Sequence, residues 1–160
     1  MNNSIIDKTE LLKIRKQLKV EGKKVVFTNG VFDILHAGHV DYLVKTKECG
    51  DILILALNSD ASVRRIKGEK RPLVPQNERA FILSNLKPVD YVVMFEEDTP
   101  QDLITYLLPD VLVKGADYSI EQIIGHEIVQ ANGGEVKTIK FVSQQSTTNI
   151  VNKVLDTYNE

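Results

Sequence analysis

The chain predicts an α/β fold: one domain built on a doubly wound, parallel sheet of five strands. Short, mostly apolar and β-branched runs recur at Val25–Thr28, Ile52–Leu57, Tyr91–Phe95, Val111–Lys114 and Glu135–Phe141. Such runs suit strands covered on both faces. Stretches of helical period separate them, so strand and helix alternate from end to end, as a parallel sheet with right-handed crossovers requires. The 160 residues, 42% of them hydrophobic, suffice for one domain with a real core. No repeat, low-complexity tract or linker interrupts them. In this architecture ligands bind at the carboxyl ends of the strands.

The first element is an amphipathic helix over Thr9–Leu18, with Leu11, Leu12, Ile14 and Leu18 among charges and Thr9 able to cap it. Residues 1–22 then read as a helical extension before a core of 23–160. Further helices are expected at His39–Lys47, Ala61–Ile66, Glu78–Leu86, Gln101–Leu108, Glu121–Asn132 and Thr148–Tyr158. Between two of them, Ile66–Pro75 carries two prolines, a glycine and four charges. It reads as a solvated connector or, because its Lys and Arg could fold onto an anion, as a lid. Asn29, Lys114 and the Ser146 region each follow a strand and should converge on one edge of the sheet.

Composition narrows the classes of function. A formal net charge of -2 and a pI near 6.0 do not describe a nucleic-acid-binding surface. Cys49 is the lone cysteine, which excludes an internal disulfide and a multi-cysteine zinc site; it reads as a small buried hydrophobe. The first residues lack a signal-peptide core, and no stretch approaches the ~18 apolar residues of a membrane span. A cytoplasmic location without membrane association is the expectation.

The informative segment is Thr28–His39, TNGVFDILHAGH, where an apolar strand empties into a loop and then into a helix. His36 and His39, at i and i+3, fall on one helical face near free backbone N–H groups and the positive dipole end, where phosphate oxygens are readily held. Two imidazoles can donate to phosphate oxygens as charge develops on them. In the plain structural reading, His36 caps and His39 faces solvent. A zinc pair is a weaker alternative, because HxGH lacks the Glu of HExxH and His126 is the only other histidine. Gly30 and Gly38 would allow close backbone approach to a ligand. Ser146-Thr147-Thr148 opens the last helix, where one hydroxyl suits an N-cap and the amides suit phosphate.

These residues resemble the signature of the nucleotidyltransferase superfamily with an HxGH motif, whose members join a nucleoside triphosphate to a phosphorylated small molecule. Asn29–Asp33, Lys67-Gly68, Arg71-Pro72, Glu78-Arg79, Phe95–Pro100, Lys114–Tyr118 and Ser146–Ile150 occur in the order found in the branch that makes ADP-heptose from heptose 1-phosphate. The resemblance implies a Rossmann-like fold and transfer of AMP from ATP to D-glycero-β-D-manno-heptose 1-phosphate. Mg2+ would be held through the ATP phosphates, with no protein ligand assigned. It implies catalytic roles for His36, His39 and Lys67. Nucleotide contacts fall to Thr28, Asn29, Gly30, Val31, Phe32 and Gly38 at the first turn, and to Arg79. Lys114, Gly115 and Asp117 would bind the nucleotide after the fourth strand, as would Ser146, Thr147 and Thr148 before the last helix. Asp33 would orient the acceptor or help with magnesium, and Arg71 would meet the acceptor. Bland counterparts remain for several: a loop cap for Asp33, a surface ion pair for Arg79, an ordinary turn for Asp117.

Two departures mark this chain. Ala116 stands where similar sequences read KGGDY, and Gln144-Gln145 stand where they often have Gly-Cys. A cytidylyltransferase acting on glycerol 3-phosphate is the rival within the class, although such enzymes usually carry Arg-Thr-Glu-Gly-Ile where this chain has Phe141–Gln145. A non-catalytic nucleotide sensor on the same fold is the rival from another class. The length implies a free-standing enzyme with a separate sugar kinase, and a homodimer is expected through the apolar residues of the N-terminal helix.

Overall fold

A computed structural model describes residues 4–140 and 146–158. Its order is α1 (Lys8–Val20), β1 (Val25–Gly30), α2 (Ala37–Lys47), β2 (Ile52–Asn58), α3 (Asp60–Lys67), α4 (Gln76–Ser84), β3 (Tyr91–Phe95), α5 (Gln101–Leu107), β4 (Val111–Gly115), a 3-10 turn (Ile120–Gln122), α6 (His126–Ala131), β5 (Glu135–Ile139) and α7 (Thr147–Tyr158). The five strands pair in parallel in the order β3-β2-β1-β4-β5. The chain winds outward from β1 in one direction and then from β4 in the other. A crevice therefore opens between the carboxyl ends of β1 and β4.

Both sheet faces are buried, which explains the unbroken apolar strands. Val25 and Phe27 face a core with Leu11, Leu103, Ile104 and Val129. Val26, between them, faces the opposite core with Tyr42, Leu43 and Leu83. Successive side chains on a strand point to opposite faces, so one continuous run feeds two cores. The edges are less demanding. Along β5 no residue is fully buried, while β3 is flanked by the N-terminal segment, where Val92 N–H donates to Ser4 O at 2.7 Å and Ile6 N–H to Val92 O at 3.0 Å.

Several boundaries differ from expectation for identifiable reasons. Helix α1 is capped by Asp7 rather than Thr9: its carboxylate accepts from Thr9 N at 2.7 Å and Glu10 N at 2.9 Å. This helix is not an appendage, since Leu11 and Leu18 are buried in the core and Arg15 ties it to Leu107 O, Leu108 O and Asp110. Those apolar residues are therefore not free to form a dimer surface. The expected helix Glu121–Asn132 is broken in two because Gly125 takes φ 88°, and a Cβ there would lie 2.8 Å from Ile104 Cδ1. Helix α4 stops at Ser84 instead of Leu86. Strand β5 ends at Ile139, and Phe141, to which it was expected to run, lies outside the described residues, as do Gln144 and Gln145. Cys49 is half-buried, with its thiol 3.5 Å from Lys45 O. Among the described residues, no helix is long and apolar enough to cross a membrane.

Candidate functional site

A cavity of about 490 Å3 opens at the β1/β4 crevice. Its walls come from the β1 exit (Asn29 to Asp33), His39 of α2, Asn58 at the end of β2, and Lys67 and Arg71. Asp98 to Pro100, Lys114 and Tyr118 beyond β4, Gln122 to Ile124, and Thr147 complete it. A larger hollow, about 660 Å3, lies beyond β3 against Met94, Phe95 and Tyr106, but its wall also carries Glu96, Glu97 and Asp102. Those carboxylates disfavour an anion, whereas the smaller cavity sets Lys67, Arg71, Lys114 and the His39 imidazole against only Asp33 and Asp98. Charge rather than size selects the smaller one.

The turn from β1 into α2 is strained and tightly packed. Phe32 has φ 47°, a conformation that costs a side-chain-bearing residue about 1–2 kcal/mol. Its ring is buried beneath the site, and Gly30 makes room for it: a Cβ at Gly30 would lie 2.8 Å from Phe32 Cε2. The same ring abuts His39, with centroids 5.3 Å apart and planes tilted by 58°. His39 in turn stacks on His36 at 3.9 Å and 30°. His36 is the N-cap of α2, with its side chain making no cap bond.

Polar atoms without partners concentrate here. Among the described residues, four buried side-chain N or O atoms lack a hydrogen bond, and three of them are Asn29 Oδ1, His36 Nδ1 and His39 Nδ1. Orphaned buried groups are costly and uncommon, so three at one corner point to a ligand that completes them. Burial, and secondarily the neighbouring His36, pushes the His39 pKa down to about 4; burial also lowers His36. Both rings are therefore neutral at pH 7, and each offers one donor. An incoming phosphate would favour their protonated forms, since an adjacent negative charge offsets both burial and the repulsion between the rings.

The basic residues divide into free and committed. Lys114 Nζ reaches into the cavity, donates to Asn29 O at 3.2 Å and lies 5.9 Å from the centroid of the Tyr118 ring; burial lowers its pKa to about 8. Lys67 ends α3 and is exposed on the cavity rim. Arg71 places Nε on the Asp33 carboxylate at 2.6 Å. Arg79 has the opposite character: its side chain is fully buried. It donates to Val74 O, Val31 O, Asn58 O and Asp60 at 2.6 to 3.0 Å. Neither a phosphate ligand nor a surface ion pair describes it. It is an internal strut that fixes two carbonyl-bearing segments of the cavity wall.

Of the residues singled out in the sequence, Asn29, Gly30, Val31, Phe32, Asp33, His39, Lys67, Arg71, Lys114 and Thr147 meet around this cavity. His36 stands behind His39 and lines an adjoining hollow of about 560 Å3 against Ile150, Lys153 and Tyr158 of α7. Others stand back from the cavity wall. Thr28 is buried with its hydroxyl 2.8 Å from Tyr42 Oη, Gly38 is buried in the first turn of α2, and Gly115 is buried at the end of β4. Asp117 is exposed in an ordinary turn, and Ala116 beside it needs no positive φ. Ser146 caps α7 by accepting from Asn149 N at 3.0 Å, Thr147 Oγ1 reaches Ile34 O at 3.4 Å, and Thr148 is exposed. The sequence reading overlooked Asn58, Gln122, Ile123 and Ile124. Asn58 had a signal, because it ends the strand next to the crevice.

For a metal ion the side chains offer little. Among the described residues no group of three or more His, Cys, Asp and Glu could hold one, and the Asp33 carboxylate is already occupied by Arg71, Leu73 N and Val74 N. The described residues do not form a magnesium cage.

Residues 27–153 match the family model described as cytidylyltransferase-like. The bifunctional protein HldE of Geobacter sulfurreducens is 58% identical over 142 residues, 89% of this chain and 29% of that protein. HldE of Wolinella succinogenes is 54% identical over 94% of this chain and 31% of its own length. The chain thus spans less than a third of these relatives. Among solved structures, a lipopolysaccharide core biosynthesis protein from Thermoplasma volcanium is similar with TM-score 0.61 and 30% identity, over 78% of this chain and all of the other. A pantoate-beta-alanine ligase from Francisella tularensis has TM-score 0.62 over 98% of this chain and 79% of its own, and at 15% identity shares the fold alone.

Proposed function

This chain belongs to the cytidylyltransferase-like family, and from that premise we propose that it is an adenylyltransferase, moving AMP from ATP to a sugar 1-phosphate. The acceptor we assign is D-glycero-β-D-manno-heptose 1-phosphate, with ADP-heptose and pyrophosphate as products. The observation that carries the reaction type is the trio of unpaired polar atoms on Asn29, His39 and His36, the first two lining the parallel-sheet crevice with Lys114 and the third stacked behind His39. The choice of base and acceptor rests on the motif resemblance and on relatives named HldE at 54–58% identity.

In the proposed reaction an acceptor phosphate oxygen bonds to the α-phosphorus of ATP as the bond from that phosphorus to the β-bridging oxygen breaks, and pyrophosphate leaves. Such transfers ask the protein for position and charge stabilisation rather than covalent chemistry. His36 and His39 donate to α- and β-phosphate oxygens as charge accumulates there. Lys114 supplies a cation from below, Lys67 one from the rim, and the α7 amides with Thr147 close the far end. Magnesium, as the usual partner of a nucleoside triphosphate, would be carried by its phosphates, and no protein step depends on it.

Pyrophosphate release, measured for four nucleoside triphosphates against heptose 1-phosphate, other sugar 1-phosphates and glycerol 3-phosphate, tests the reading. ATP with heptose 1-phosphate should lead, with product identified as ADP-heptose. Efficient CDP-glycerol formation without ADP-heptose would overturn the substrate assignment for its rival and leave the phosphate roles standing. Tight nucleotide binding without turnover of any pair would make the chain a sensor.

A further inference from the structure

The carboxylate of Asp33 is 1% exposed, yet it lies at the cavity wall between two segments distant in sequence. One oxygen accepts from Leu73 N and Val74 N, both at 2.8 Å. The other accepts from Arg71 Nε at 2.6 Å and from Leu73 N at 3.0 Å. A buried carboxylate receiving two backbone amides and a guanidinium is satisfied. A substrate hydroxyl, itself needing an acceptor, would have to displace a loop contact to reach it. Arg71 is left with both Nη groups without a partner among the described residues, and its side chain, 23% exposed, lines the cavity alongside Lys67.

We propose that Asp33 is a positioning residue and does not touch substrate: it pins the 68–75 loop against the first turn and holds the Arg71 guanidinium edge-on, so that its outer nitrogens grip the phosphate of the acceptor. This rests on the adenylyl-transfer reading and names the group that sets acceptor affinity within it. The geometry suits a phosphate because a guanidinium fixed by its Nε keeps two donors aligned, which a free arginine on a loop does not. The eight residues 68–75, between α3 and α4, contain no helix or strand, so this one carboxylate supplies much of their order.

The test compares Asp33→Asn, Arg71→Ala and the double variant by steady-state kinetics and by limited trypsin cleavage without substrate. An asparagine keeps one acceptor oxygen for the amides but turns a donor toward Arg71 or the loop amides. Both single variants should raise KM for heptose 1-phosphate about tenfold or more, the size of a lost hydrogen-bonded ion contact, with KM for ATP within about twofold. The double variant should be no worse than the poorer single one, since both remove the same contact. Trypsin should cut Asp33→Asn after Lys70 several-fold faster than wild type; the Arg71-Pro72 bond resists trypsin in either protein. Additive losses would show that Asp33 meets substrate on its own account, and a shift in the Mg2+ dependence or in KM for ATP would show a metal or nucleotide role; either overturns the proposal. Unchanged trypsin cleavage overturns it too. The cleavage arm stands even if wild type turns over no sugar phosphate, an outcome that defeats the functional reading instead.

Discussion

The two ends of the candidate site are built by opposite means. At the β1–α2 corner, Phe32, Asp33 and Gly38 are buried, the backbone at Phe32 is strained, and the two imidazoles stack at 3.9 Å with nothing bonded to their Nδ1 atoms. Helix α7, at the other end, has no buried residue; Val154, Leu155 and Tyr158 stand exposed, and Thr147 gives a long contact to Ile34 O. The corner is formed without a ligand, and its cost is met by the core of Tyr42, Leu43 and Leu57 that locks Phe32 in place. On the proposed reading, the far end would gain its order from the triphosphate. Substitutions at the corner should therefore lower kcat, and those at α7 should mainly change binding.

The comparison breaks first on the histidines. His36→Ala and His39→Ala should each lower kcat by about 10²–10³ while leaving the fold intact, the scale for losing one preorganised donor. Near wild-type turnover at saturating substrate would place the chemistry elsewhere.

Lys114 gives a smaller effect with a definite sign in pH. Burial holds its free-state pKa at about 8, so above that pH the ammonium must be regained before it can meet a phosphate. KM for ATP should rise about fivefold from pH 8 to 9 and more steeply above that, toward the limit of about tenfold per unit of proton deficit. Lys114→Arg should flatten that rise, and a KM that climbs equally in both would remove Lys114 from the nucleotide site.

At the rim, Lys67→Ala should raise KM for a phosphate-bearing substrate by about tenfold and lower kcat less than the histidine variants do. Smallest of all, Ser146→Ala removes the α7 cap, worth about 1 kcal/mol, and should weaken nucleotide binding by about fivefold with kcat nearly unchanged. If Ser146→Ala instead lowered kcat as far as His39→Ala, the distinction between the two ends would fail.

What the sequence made legible follows from range. The parallel sheet, the crevice edge, His39 and Lys114 depend on local pattern and strand order, and both are written in consecutive residues. Asp7 was also readable, since Asp7 and Glu10 have capping-box spacing, but Thr9 competed for the position. Arg79 was not. Its strut role exists because Val31 O and Asn58 O arrive from the ends of two different strands, a juxtaposition that no single stretch of chain encodes. The grip of Asp33 on residues 40 positions away is of the same kind. Gly125 was read as helix interior, and only Ile104, packed against it, explains the break there.

The most direct measurement is the imidazole titration of His36 and His39 by NMR, with and without ATP and Mg2+. In the free protein His39 should stay neutral down to about pH 4 and His36 should titrate below its ordinary value; the triphosphate should raise at least one of the two by a unit or more as its oxygens supply the missing partners. Because the folded protein disfavours the charged ring, the stability that His39 contributes should be present above about pH 6.5 and fade as pH falls toward 4. Titration curves unchanged by nucleotide, or rings already protonated at pH 7 in the free protein, would contradict a neutral cradle waiting for phosphate.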